Sequence, residues 1–238
     1  MKIAEGIEIY DLALFLPEFK TLVIADTHIG IEEAMSKQGI LVPRTHFSEL
    51  TARLGKIIKK INVKFSKIIV NGDIKHEFGS ISDTEWRHTL KFIDILAGYA
   101  NEVVLIKGNH DTILGPIAEK RKIKIKKFEK FGKMLITHGD IVDKDELKNV
   151  DTVIIGHEHP AVSISDGVRT ETYKCFLKGK FENKTLIVQP SFNLISEGTN
   201  ILREQLLSPF LKNIKDFEVY IAEGETYHFG KVKKLMNK

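Results

Sequence analysis

The sequence predicts an α/β fold in which two sheets face each other and helices lie outside them. Three observations predict it. Strand-like and helix-like apolar periods alternate through the first half, short strands crowd the second half, and five apolar runs end in Asp, Asn, Gly or His. Alternation of strand and helix at this spacing argues for right-handed βαβ units and a largely parallel sheet.

Taken in order, "GIEIYDLALFLPEFKTLVI" reads as a strand or hairpin joining the first layer, and "TLVIAD" as a short buried strand. "RTHFSELTARLGKIIKKI" carries Phe47, Leu50, Leu54, Ile57, Ile58 and Ile61 at helical spacing, the stripe of an amphipathic helix. "SKIIVNGD" is a second strand. "SDTEWRHTLKFIDILAGY" is a second helix, with Ser82 and Glu85 placed as a capping box and Gly98 near its end. "EVVLIKGNHD" is a third strand. The later strands are "KIKIKKF", "KMLITHGD", "DTVIIGHEHP", "TYKCFLKG" and "KTLIVQPSF", with "FEVYIAEGETYHFGK" as a closing hairpin.

The chain has 238 residues and a formal charge of +4, a weak lean toward anionic partners. A single cysteine, Cys175, excludes an intrachain disulfide and a thiolate cluster, as expected in a reducing compartment. The start has no apolar segment of signal-peptide length, and no later run approaches a membrane span. No linker, repeat or low-complexity tract interrupts the pattern. The expectation is therefore one domain over residues 1–238, cytoplasmic and without a membrane partner.

The strand ends carry the chemistry. Asp26 and His28 follow "LVIA"; Asn71, Gly72, Asp73 and then His76 follow "KIIV"; Gly108, Asn109, His110 and Asp111 follow "VVLIK". His138, Gly139 and Asp140 follow "MLIT", and Gly156, His157, Glu158 and His159 follow "TVII". Six of the nine histidines thus fall at five strand ends. Open α/β sheets build their sites at the carboxyl ends of strands. Residues two apart on extended chain project to one side, so Asp26 with His28, and His157 with His159, are expected to aim together. Imidazole, carboxylate and an Asn oxygen without thiolates suit a mid-series divalent ion such as Mn, Fe or Zn. The ligands are too many for one tetrahedral zinc and too rich in nitrogen for a calcium cage. Two adjacent metals sharing a carboxylate account for the set. Such a pair attracts a phosphate ester and acidifies water near neutral pH, and an imidazole outside the ligand set can protonate the leaving oxygen.

"DTH", "GDIKH", "GNHD", "THGD" and "GHEHP", in that order from about Ala25 to Pro160, resemble the motif series of the calcineurin-like metallophosphoesterases. The resemblance implies a four-layer α/β/β/α sandwich of two mixed sheets flanked by helices, with a dinuclear site holding Mn²⁺ by preference, or Fe, Zn or Ni. Carried over by position, Asp26, His28 and His159 would hold one metal, Asn109, His138 and His157 the other, and Asp73 would bridge them. His110 would contact the phosphoryl group or protonate the leaving oxygen, oriented by Asp111. His76 reads either as a loop residue pairing with Glu77 or as the extra histidine of a nuclease-like branch. That branch resembles Mre11/SbcD, archaeal SbcD-related phosphoesterases and ligase-associated DNA-damage-response endonucleases. By this resemblance alone, a helicase or ligase would be an associate.

The substrate expected first is a phosphodiester of DNA or RNA; the alternative is a small nucleotide or cyclic nucleotide, which the compact length favours. A scaffold without chemistry is disfavoured because every expected ligand position is filled. "GDIKHEFGS" lacks the arginine of protein phosphatases, and "GNHD" stands where they carry "GNHE". His46, His88 and His228 read as structural. Arg44 reads as a helix-entry residue or a phosphate clamp. In "EKRKIKIKKFEK", Lys122 to Lys127 read as an edge strand guarded by lysines, or as a nucleic-acid contact without a stacking platform. Residues 191–208 are expected near the substrate groove.

Overall fold

The structure is a computed structural model that describes residues 1–79 and 81–236. The first sheet is built from β1 (Lys2–Ala4), β2 (Ile7–Tyr10), β3 (Ala13–Leu16), β4 (Thr21–Ala25), β5 (Phe65–Asn71), β6 (Ala100–Ile106) and β7 (Lys124–Lys126), side by side in that order. The first four are antiparallel, and β4 to β7 run parallel. Parallel pairing requires crossovers. These are supplied by α1 (Ile31–Lys37) with α2 (His46–Ile61), by α3 (Asp83–Tyr99), and by α4 (Gly115–Arg121). The second sheet holds β8 (Phe128–Phe131), β9 (Met134–Thr137), β10 (Thr152–Ile155), β11 (Pro160–Ser165), β12 (Thr170–Phe181), β13 (Lys184–Val188), β14 (Thr199–Asn200), β15 (Glu218–Glu223) and β16 (Glu225–Lys231). Its order is β14-β11-β12-β13-β10-β9-β8, with β15 joining β12 and β16 joining β15. Here β9, β10 and β13 are mutually parallel. A short α5 (Val232–Leu235) closes the described chain.

Apolar burial explains the layering. Every residue of β4 is buried, and so are the last four of β5 and β6, as expected of parallel strands covered on both faces. The α2 stripe buries Leu50, Leu54, Ile57, Ile58 and Ile61 toward this sheet. One apolar cluster contains Ile24, Ile69 and Leu105 of the first sheet together with Ile154, Phe176 and Ile187 of the second, so the sheets face each other across a shared core. The outer face of the second sheet is covered more thinly, by α5 and by irregular segments contributing Leu147, Val150, Phe210, Leu211 and Phe217. The expected two mixed sheets flanked by helices are present. Among the described residues no helix is long and apolar enough to cross a membrane.

Two short helices, α1 and α4, and strand β11 lie where the periodicity gave no signal. The capping box at α3 is half made. Ser82 Oγ accepts the Glu85 N–H at 3.1 Å, but the Glu85 carboxylate turns away toward the rim described next. β7 is the sheet edge, as expected, and its Ile125 is exposed.

Candidate metal centre

The strand ends of β4, β5, β6, β9 and β10 deliver the predicted residues to one rim, but not by strand alternation. β4 stops at Ala25 and β10 at Ile155, before the Asp26/His28 and His157/His159 pairs begin. Asp26, His28, Asp73, His157 and His159 instead take left-handed backbone, with φ of 54°, 44°, 43°, 64° and 52°. For a side chain other than glycine this costs on the order of 1–3 kcal/mol each, and it persists only where the surroundings over-determine it. Here they do. His28 N–H donates to the Asp73 carbonyl (2.9 Å), Ile29 N–H to Ile74 (3.0 Å), and Thr27 Oγ1 to Ile74 (2.8 Å). From the other sheet, Gly156 N–H donates to the His138 carbonyl (2.9 Å).

The close approach leaves no room for side chains on two glycines. A Cβ on Gly72 would collide with the His138 ring, and one on Gly108 with the Asp73 carboxylate.

The side chains converge. His28 Nε2 lies 3.3 Å from His159 Nε2, and His159 Nε2 lies 3.6 Å from Asp26 Oδ2. His138 Nε2 lies 2.9 Å from Asn109 Oδ1 and 3.2 Å from His157 Nδ1. Between these sets sits Asp73 Oδ2, 3.8 Å from His28 Nε2 and 3.5 Å from His138 Nε2. One donor atom from each of Asp26, His28 and His159 lies within 4.8 Å of the others, and the same holds for Asp73, His138 and His157.

The electrostatics fit cations. Burial first, then the charges of Asp26 and Asp111, push the Asp73 carboxyl up to about 9. Burial also opposes the ionised form of Asp26, but His159, His138 and the His157 N–H outweigh it and hold that carboxyl below its ordinary value. Burial and crowding by neighbouring imidazoles press His28 well below its usual value and His157 to about 4, leaving both neutral, the form that binds a metal. Asp26 Oδ1 and His138 Nδ1 lie 3.5 Å apart, both buried without a hydrogen-bond partner. Orphaned buried donors and acceptors are expensive, so this set of residues fits a divalent ion pair.

His110 flanks the centre. Its Nδ1 meets the His76 carbonyl at 2.5 Å, so that nitrogen carries the proton, and Nε2 stands 4.0 Å from Asp73 Oδ2. Its backbone N–H donates to Asp73 Oδ1 at 2.8 Å. The expectation for Asp111 is corrected. Its carboxylate accepts the Gly108 N–H at 3.1 Å and closes its own loop, so the His76 carbonyl, not Asp111, fixes the His110 ring. His76 does not pair with Glu77, which reaches Lys37 instead. Its Nδ1 lies 3.3 Å from His28 Nδ1.

Sequence reasoning missed the residues that brace this rim. Lys75 is fully buried, and its Nζ donates to the carbonyls of His110 (2.8 Å) and Glu77. Glu85, also fully buried, accepts the N–H groups of His76 (2.8 Å) and Glu77 (3.0 Å). Glu158 holds Leu207 and Ser208 by their N–H groups (2.9 and 2.8 Å). The segment expected near a groove thus begins as a backing: Phe192 and Asn193 donate to the carbonyls of Ala25 and Asp26 at 2.7 and 3.1 Å. A cavity of about 380 Å³ opens beside Asn109 and His138, lined also by Lys107, Thr112, Lys127 and Ile141.

The remaining histidines are structural. His46 is buried between Glu32 and Leu194 and pushed down to about 4 by burial; His88 stacks on Phe47, and His228 packs on Tyr220. Arg44 is exposed.

Fold and rim together define a phosphoester hydrolase of the metal-dependent class. A family profile described as calcineurin-like phosphoesterase matches residues 19–147, more than half of the chain, and the chain belongs to that family. Among solved structures, the Pseudomonas putida nuclease MPE superposes with a TM-score of 0.64 at 20% identity, covering 93% of each chain, a likeness of fold. Wild-type Vps29 complexed with Zn²⁺ from Entamoeba histolytica aligns over 87% of this chain and 96% of its own at 18% identity, with a TM-score of 0.35. No curated protein sequence matches.

Proposed function

We propose that the chain is a phosphodiesterase of the nuclease type, acting on DNA or RNA with two divalent cations, manganese being the first choice. Asp26, His28 and His159 would hold one cation, Asn109, His138 and His157 the other, and Asp73 would reach both. The observation that carries this reading is the place of Asp73 Oδ2, within 4 Å of an imidazole from each ligand set. Bound there, the cations supply positive charge for the phosphoryl oxygens and lower the pKa of an attacking water.

The chain's own residues do the rest. The His76 carbonyl fixes the His110 ring through Nδ1–H and leaves Nε2 facing the centre; in its doubly protonated form, which that carbonyl favours, the ring gives the Nε2 proton to the departing alkoxide and returns to the neutral Nδ1–H tautomer. Lys75 and Glu85 hold the two loops that carry His110 and His76, so the proton donor keeps its aim. His76, beside both His28 and His110, lines the same edge and contacts the phosphoryl group.

The alternative, a hydrolase of small nucleotides, is favoured by the cavity beside Asn109 and His138, which is large enough for a mononucleotide. The deciding experiment is turnover of oligonucleotides, cyclic nucleotides and phosphomonoesters by manganese-loaded protein. Cleavage of single- or double-stranded polynucleotide that weakens as salt rises supports the nuclease reading. Indifference to every polynucleotide with rapid turnover of a mononucleotide replaces it with the alternative.

A further inference from the structure

The loop after His76 displays an aromatic ring to solvent at the edge of a polar centre. Phe78 is 50% exposed, and its ring centroid lies 3.7 Å from that of His110, with the planes tilted by 33°. This loop is also no loose tip. Glu85 holds the Glu77 N–H at 3.0 Å, buried Lys75 holds the Glu77 carbonyl, and Thr112 Oγ1 donates to the Phe78 carbonyl itself. Three side chains therefore fix the backbone on which the ring stands.

We infer that Phe78 is a stacking platform for a nucleobase of the substrate, on the side where the leaving nucleoside departs. The inference rests on the phosphodiesterase reading and adds the substrate class, a nucleotide recognised by its base. The geometry supplies the reason. His110 faces the leaving oxygen, and Phe78 lies directly on His110, so the ring stands where a nucleoside bonded to that oxygen passes. Every base has a π-face, and stacking on an aromatic side chain tolerates any sequence. Phosphates answer to the charged centre; the base needs a flat apolar plane beside it. The rival role, a cover that merely steadies His110, requires an apolar side chain but no aromatic one.

The two roles separate in a binding experiment. Calorimetry on manganese-loaded protein compares adenosine 5′-monophosphate with ribose 5-phosphate, which lacks only the base. Wild type binds the nucleotide more tightly. Phe78→Leu, which keeps an apolar cover, weakens the nucleotide by about 5- to 30-fold and ribose 5-phosphate by less than about twofold, and Phe78→Trp restores the preference. Equal affinity of wild type for the two ligands overturns the inference, as does parallel weakening of both in Phe78→Leu. These titrations decide the stacking whether or not a diester is turned over; failure to hydrolyse any diester counts against the phosphodiesterase reading alone.

Discussion

The rim that carries Asp26, Asp73 and six histidines and the edge strand that carries Lys124 and Lys126 are both dense in charge, yet the protein satisfies them differently. On the edge, Lys124 meets Glu102 at 2.8 Å, Lys126 meets Glu129 at 2.5 Å, and Lys67 joins both acids. That network is closed by protein groups: Lys124 reaches Glu102 in solvent, and the buried Glu129 is met by both Lys126 and Lys67. At the rim the donors are buried and crowd together, and Asp26 Oδ1 and His138 Nδ1 find no partner. Exposed ion pairs contribute about 0–1 kcal/mol, so an edge can carry them cheaply. Buried unpaired groups cost far more and are retained where something else completes them. The contrast separates a guarded sheet edge from a site, although both look equally charged in sequence.

That contrast can be broken at several points. The largest effect is expected for Asp73→Asn, which removes the carboxylate between the two ligand sets: diester hydrolysis falls by about a thousandfold or more. His110→Asn slows turnover by about 10²–10⁴-fold while elemental analysis still finds both metals. Loss of a metal in that variant refutes the role given to His110. Lys75→Met leaves the His110 and Glu77 carbonyls without their donor; kcat drops by about 10- to 100-fold with metal content intact and a lowered Tm. The smallest effect belongs to the edge. Lys124→Ala with Lys126→Ala changes polynucleotide cleavage by less than about twofold at moderate salt and costs about 1 kcal/mol of stability. A tenfold loss of polynucleotide affinity there would make the edge a binding surface and dissolve the comparison.

The alternation of strand and helix in the first half, the helices α2 and α3 and the convergence of the five strand ends were legible because each leaves a periodic or repeated signal. The way the ligands meet was not. Alternation along a strand was the expected device, whereas left-handed backbone at five ligand positions does the turning, and φ leaves no mark in an Asp or a His. Lys75 and Glu85 sit among surface-like charges in "GDIKHEF" and "SDTEW". Only the fold shows that both are buried and hold backbone groups of the site. Asp111 misled for the opposite reason: a neighbour in sequence was assigned to the His110 ring, while its carboxylate folds back on Gly108. Helices α1 and α4, at seven residues each, are too short to develop a stripe.

The account stands on two cations being held together by Asp73 between the ligand sets. Equilibrium dialysis of metal-stripped protein against Mn²⁺, with bis-p-nitrophenyl phosphate hydrolysis followed in parallel, tests it most directly. The expected result is two ions per chain, activity that appears only as both bind, and no more than one ion in Asp73→Asn. Full hydrolysis by thoroughly chelated protein, or a single ion sufficing for full activity, would contradict it.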